Sequence, residues 1–88
     1  MKASLTLVRD HLSRRFGIPP PLVRLSSHLD NDLGLEIWEK IDLIVFLEAA
    51  YGVTFPSDAT SRYETVFELL AFALLSPFVA RSKKFFVK

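Results

Sequence analysis

The sequence predicts an all-α protein, a small four-helix bundle of three main helices and one short one with a long first loop. Three observations carry that prediction. Apolar residues recur at helical spacing in three segments. Each of those segments ends at a glycine or a proline. Half of the 88 residues are hydrophobic and 24% are charged, with no cysteine, so one core must hold the domain without disulfides. A chain this short buries only ~60% of the surface its unfolded form exposes, which calls for a dense core or a partner.

The first helix is expected from about Leu5 to Phe16, with Ser4 as its N-cap. Leu5, Val8, Leu12 and Phe16 form its apolar stripe, and Gly17 stands where a left-handed terminator belongs. Ile18-Pro19-Pro20-Pro21 then forces an extended path. The connection from Ile18 to about Leu35 is long for a compact domain. It carries Leu22, Val23, Leu25 and Leu29, which need packing partners, and one short helical turn is expected after Pro21.

The second helix is expected from about Glu36 to Tyr51, closed by Gly52. Ile37, Ile41, Ile44, Leu47 and Tyr51 fit one face, and Leu43, Val45 and Phe46 widen it. A helix so apolar is expected at the centre of the bundle, buried on more than one side. The helical pattern continues on both sides of 43–47, which excludes a strand there. Glu36 and Glu39 lie in its first turn, where the helix dipole favours acids. Val53-Thr54-Phe55-Pro56 reads as an extended link, and Asp58 to Tyr63 as one or two helical turns. Thr65-Val66-Phe67-Glu68 opens the last helix with a capping box, and Pro77 closes it. The expected core includes Ile41, Ile44, Leu47, Phe55, Val66, Leu69 and Leu70. The bundle is assigned to residues 1–76 and a basic, aromatic tail to 77–88.

The net charge of +1 hides an uneven distribution. Residues 1–27 carry +4, 28–48 carry −5, 49–80 carry −2 and 81–88 carry +4. An acidic middle between basic ends suggests either an electrostatic recognition face or ends that fold back on the middle. The overall balance gives no reason to bind nucleic acid. The most apolar stretch, Val66–Ala80, is too short and too interrupted for a spanning helix, and the N-terminus lacks a signal-peptide core. A cytoplasmic location is expected.

The order of four segments resembles the acyl carrier protein family. Asn31-Asp32-Leu33-Gly34-Leu35-Glu36-Ile37-Trp38-Glu39 is similar to that family's acid-Leu-Gly-x-Asp-Ser-Leu-Asp signature. Leu47 to Pro56 resembles its Leu-Glu-Glu-x-Phe-x-x-x-Ile-Pro stretch, and Tyr63-Glu64-Thr65-Val66 its Ile-x-Thr-Val. Phe16-Gly17-Ile18 resembles the Leu-Gly-Val that ends its first helix. The likeness spans roughly residues 4–75. Family members carry a phosphopantetheine arm on the serine of Asp-Ser-Leu. Here the three positions read Glu36-Ile37-Trp38, and Ile37 has no hydroxyl to form the phosphodiester. Ser26, Ser27, Ser57 and Ser61 lie away from the motif. The expectation is a carrier-like chain without prosthetic group or cofactor.

Other constellations carry no chemistry. Ser27-His28-Asp30 contains triad residue types, but near neighbours in sequence do not face one another as a triad does. His11 and His28 are too few and too isolated for a metal site, and the acids of 30–42 do not follow a calcium-loop pattern. No enzymatic activity is expected. The resemblance implies docking on a protein partner with a basic surface through the acidic second helix, using Glu36, Trp38, Glu39, Asp42 and Glu48. For Trp38 a second reading stays open, a core tryptophan beneath the long loop. The alternatives to a docking module are a genuine carrier modified at another side chain and a membrane-surface protein acting through its tail. The tail and last helix also offer a surface for a homodimer.

Overall fold

A computed structural model describes residues 1–75. Its elements are α1 (Lys2–Phe16), a 3-10 turn (Pro20–Leu22), α2 (Ile37–Tyr51), α3 (Ala59–Arg62) and α4 over residues 66–75. No strand is present among the described residues, and one isolated antiparallel bridge joins His28 to Thr65. The all-helical bundle is as the sequence predicts. Pro77 and the tail at 77–88, with the membrane reading and the tail's share of the homodimer reading, lie outside the described residues, while the last helix's share rests on α4, where Phe72 is half-buried and Leu75 exposed.

α1 begins at Lys2 with Met1 as N-cap, three residues before the expected start. Ser4 is therefore not a cap. It sits inside the helix, buried, and its hydroxyl accepts a hydrogen bond from the Tyr51 hydroxyl at 2.7 Å. That contact ties the start of α1 to the end of α2. At the opposite end, the rings of Phe16 and Trp38 meet edge to face at 5.5 Å. The two helices consequently run antiparallel. Gly17 and Gly52 end them at φ 70° and 65°, the left-handed conformation that glycine adopts without a Cβ penalty.

The core joins Val8 and Leu12 of α1, Leu43, Ile44 and Leu47 of α2, and Val66, Leu69, Leu70 and Ala73 of α4. Phe55 packs with Tyr63 and Phe72 at one end. Thr65 and Glu68 form the expected box: the Glu68 N–H donates to Thr65 Oγ1 at 3.2 Å, and the Thr65 N–H to Glu68 Oε1 at 3.0 Å. The Glu64 N–H donates to the same Glu68 oxygen, and these two backbone donors hold the Glu68 carboxyl below the ordinary glutamate value.

The long loop contributes Ile18, Val23, Leu29, Leu33 and Leu35 to the core, while Leu25 is half-buried. Leu22 departs from expectation and is half exposed, because the 3-10 turn lifts it away from the bundle. Backbone bonds lash the loop to the entry of α4: Leu29 N–H to the Glu64 carbonyl, Val66 N–H to the Ser27 carbonyl and Phe67 N–H to the Leu25 carbonyl. The Arg9 guanidinium, reaching from α1, donates twice to the Val23 carbonyl.

Two expectations about α2 are corrected. Ile41, expected in the core, is 49% exposed, and Ile37, placed on the same face, is 64% exposed. α2 is also not buried on more than one side. Its inward face is set by Leu43, Ile44 and Leu47, and the residues roughly opposite them on the helix find no cover among the described residues.

Candidate functional site

The segment that the sequence singles out, Glu36 to Glu48, forms most of α2. Glu36 occupies the N-cap position in an extended conformation, and its N–H donates to Glu39 Oε1 at 2.8 Å. The two acids expected at the docking end are thus used locally as a helix start, while Glu36 stays exposed. Ile37 and Trp38 follow immediately, both exposed. The reading of Trp38 as a core residue is overturned, since the side chain is 54% exposed. The indole is nevertheless held: its Nε1–H donates to Glu36 Oε1 at 2.9 Å, and its ring rests against Phe16.

The other two acids are engaged within the chain. Asp42 faces α1, where Oδ1 lies 2.8 Å from His11 Nε2 and Oδ2 accepts from Arg15 Nε at 2.8 Å. Burial pushes the Asp42 carboxyl up. The hydrogen bonds and positive charges of His11 and Arg15 outweigh it and hold the group below the ordinary aspartate value. The His11 ring stacks on Phe46 at 4.0 Å, nearly parallel. Glu48 Oε2 accepts the Phe55 N–H at 2.7 Å, fixing the chain as it leaves α2. Lys40 pairs with Asp30 of the long loop.

What α2 presents outward is therefore mostly apolar: Ile37, Trp38, Ile41 and Val45, with exposures from 49% to 64%. Sequence reasoning assigned Ile41 to the core and used Val45 only to widen the buried face. The sequence does carry a signal, an apolar arc on α2 wider than one neighbouring layer covers, but the arc alone does not tell a second buried side from an open one. An open cleft of about 360 Å³ lies between α1 and α2, lined by Leu7, His11, Arg14, Arg15 and Phe46 among others. Among the described residues no three His, Asp or Glu side chains gather to hold a metal ion, and no helix is long and apolar enough to cross a membrane.

No protein-family model matches the chain. Individual relatives do. The chain is 41% identical over 61 residues to acyl carrier protein 2 of Pseudomonas aeruginosa, an alignment covering 69% of this chain and 77% of the relative. It is 26% identical over 70 residues to an acyl carrier protein of Phaeodactylum tricornutum, covering 80% of this chain and 92% of that protein. The helical order, the ordered first loop and these relatives agree: the chain belongs to the acyl carrier protein family.

Proposed function

We propose that this chain is a non-enzymatic member of the family that carries no phosphopantetheine arm on α2 and docks on a protein partner through the outward face of that helix. One observation carries the reading. Ile37, the residue that stands in the signature where a serine would hold the arm, is an exposed aliphatic side chain at the head of an apolar strip. A side chain without a hydroxyl cannot form the phosphodiester, and a strip with anchors at i, i+4 and i+8 suits insertion into a partner's groove. Trp38 supplies a residue type enriched at binding hot spots. Glu36 and Glu39, at the same end, favour a groove with basic residues there. Asp42 and Glu48 act mainly within the fold, which narrows the acidic contribution to the first turn.

Incubation with coenzyme A and a broad-specificity phosphopantetheinyl transferase should leave the intact mass unchanged. The Ile37→Ser variant restores the hydroxyl and should gain one phosphopantetheine. A stoichiometric mass gain in the unaltered chain would overturn the reading.

A further inference from the structure

Of the four exposed side chains Ile37, Trp38, Ile41 and Val45, Trp38 alone carries a polar atom that needs a partner when water is excluded. The fold already supplies one. The indole Nε1–H donates to Glu36 Oε1 at 2.9 Å, and the indole ring meets Phe16 edge to face at 5.5 Å. One support comes from the start of α2 and the other from the end of α1.

Neither support is an accident of helical spacing. Residues two apart inside a helix point about 200° away from each other and do not meet. Glu36 reaches Trp38 because it stands at the N-cap, with an extended backbone at φ −78° and ψ 166°. That backbone is itself pinned: its N–H donates to Glu39 Oε1, and its carbonyl accepts from the N–H groups of Glu39 and Lys40. Phe16 is half-buried and packs against the core. Its ring also meets His11 at nearly a right angle, and His11 stacks on Phe46. Beyond Phe16 the chain turns tightly, with the Gly17 and Ile18 N–H groups bonded back to the Ser13 and Leu12 carbonyls.

An exposed tryptophan on two fixed supports is ordered before it is buried. We propose that Glu36 and Phe16 are positioning residues that fix the Trp38 indole, its N–H already paired, as a ready-made anchor for an apolar pocket on the partner. The use of the anchor rests on the docking reading. On that reading the pocket that receives the ring needs no hydrogen-bond acceptor, because docking leaves no indole donor unpaired. Basic residues of the partner belong at the rim, where Glu36 stays exposed. The indole also loses little rotamer freedom on association, since folding has already fixed it. The docking end therefore includes the last turn of α1 as well as the first turn of α2.

The hold on the indole is tested in the full chain alone. Trp38 is the single tryptophan, so its fluorescence and its indole N–H resonance report this contact without interference. The emission anisotropy of the parent should decay with the tumbling of the molecule, without the picosecond-to-nanosecond component of a free surface side chain. Glu36→Ser keeps a preferred N-cap residue and removes the acceptor. It should produce the fast component and move the indole N–H resonance to the position of a solvated indole, with the helical circular dichroism of the parent. Glu36→Gln keeps an acceptor oxygen on a side chain of the same length and should retain the slow decay. Phe16→Leu keeps apolar bulk without the ring and should produce the fast component too. A merely structural role for Glu36 at the helix start would leave the anisotropy of Glu36→Ser unchanged, and that result would overturn the proposal. A Glu36→Gln variant as mobile as Glu36→Ser would overturn it as well, and a Phe16→Leu variant as rigid as the parent would overturn the assignment of Phe16. A mobile Trp38 in a parent chain that takes no phosphopantetheine would overturn the anchor and leave the docking reading standing.

Discussion

The inward and outward faces of α2 are built from the same kinds of residue and meet opposite fates. Leu43, Ile44 and Leu47 are at most 8% exposed, whereas Ile37, Ile41 and Val45 are between 49% and 64% exposed. Hydrophobicity therefore does not decide which side is core. The decision comes from what lies opposite: Leu12 and Leu70 are among the residues that close the inward side, and the outward side has no such cover among the described residues. An exposed apolar strip on a small domain is the more informative of the two faces, because buried leucines are expected and exposed isoleucines in a row are not.

The sharpest way to break the comparison is to truncate both faces equally. Leu47→Ala should cost about 2–5 kcal/mol in urea unfolding, since the side chain is fully buried and leaves a cavity. A small domain has on the order of 5 kcal/mol in total, so this variant can lie partly unfolded in water. If Leu47→Ala lost no more stability than the outward Val45→Ala, the assignment of the two faces would fail.

The border between the faces is set by Asp42, and acid tests it. The folded chain holds the Asp42 carboxyl below its unfolded value, so the unfolded state binds the proton more readily. The stabilisation is present above the unfolded value and lost as pH falls through the folded one. Asp42→Asn should be less stable than the parent at neutral pH by about 1–2 kcal/mol, allowing for the exposure of Arg15. The gap should narrow below about pH 4. Denaturant titrations of both proteins at several pH values check it, and a gap that widened in acid would contradict the pairing of Asp42 with α1.

The smallest expected effect is on the outward face. Ile41→Asp and Val45→Ala should change stability by no more than about 0.5 kcal/mol, the range of exposed substitutions. Thermal melts read this directly. A loss of 2 kcal/mol or more, the order set by core truncation, would mean the strip is covered after all.

Much of the inward half was legible in the sequence. Leu12, Leu47, Val66, Leu69 and Leu70 follow from helical spacing, and Gly17, Gly52 and the Thr65–Glu68 box mark real helix ends. What escaped depended on distant partners. Ser4 resembles a cap until Tyr51 claims its hydroxyl from 47 residues away. Asp42 resembles a free surface acid until His11 and Arg15 are placed beside it. Ile41 looks like core because periodicity records an apolar face and not its neighbour.

The lashing of the long loop to the entry of α4 bears on the order in which the molecule assembles. The bonds from Leu29 to Glu64, Val66 to Ser27 and Phe67 to Leu25 join residues roughly 40 positions apart, so each must close a long segment of chain before it contributes. Helices α1 and α2 gain most of their backbone bonds locally, whereas the junction depends on contacts distant in sequence. Its residues Leu29 and Val66 are both buried. In native-state hydrogen exchange, Leu29 and Val66 should open only with the whole domain, while the amide of the half-exposed Leu22 exchanges through local opening.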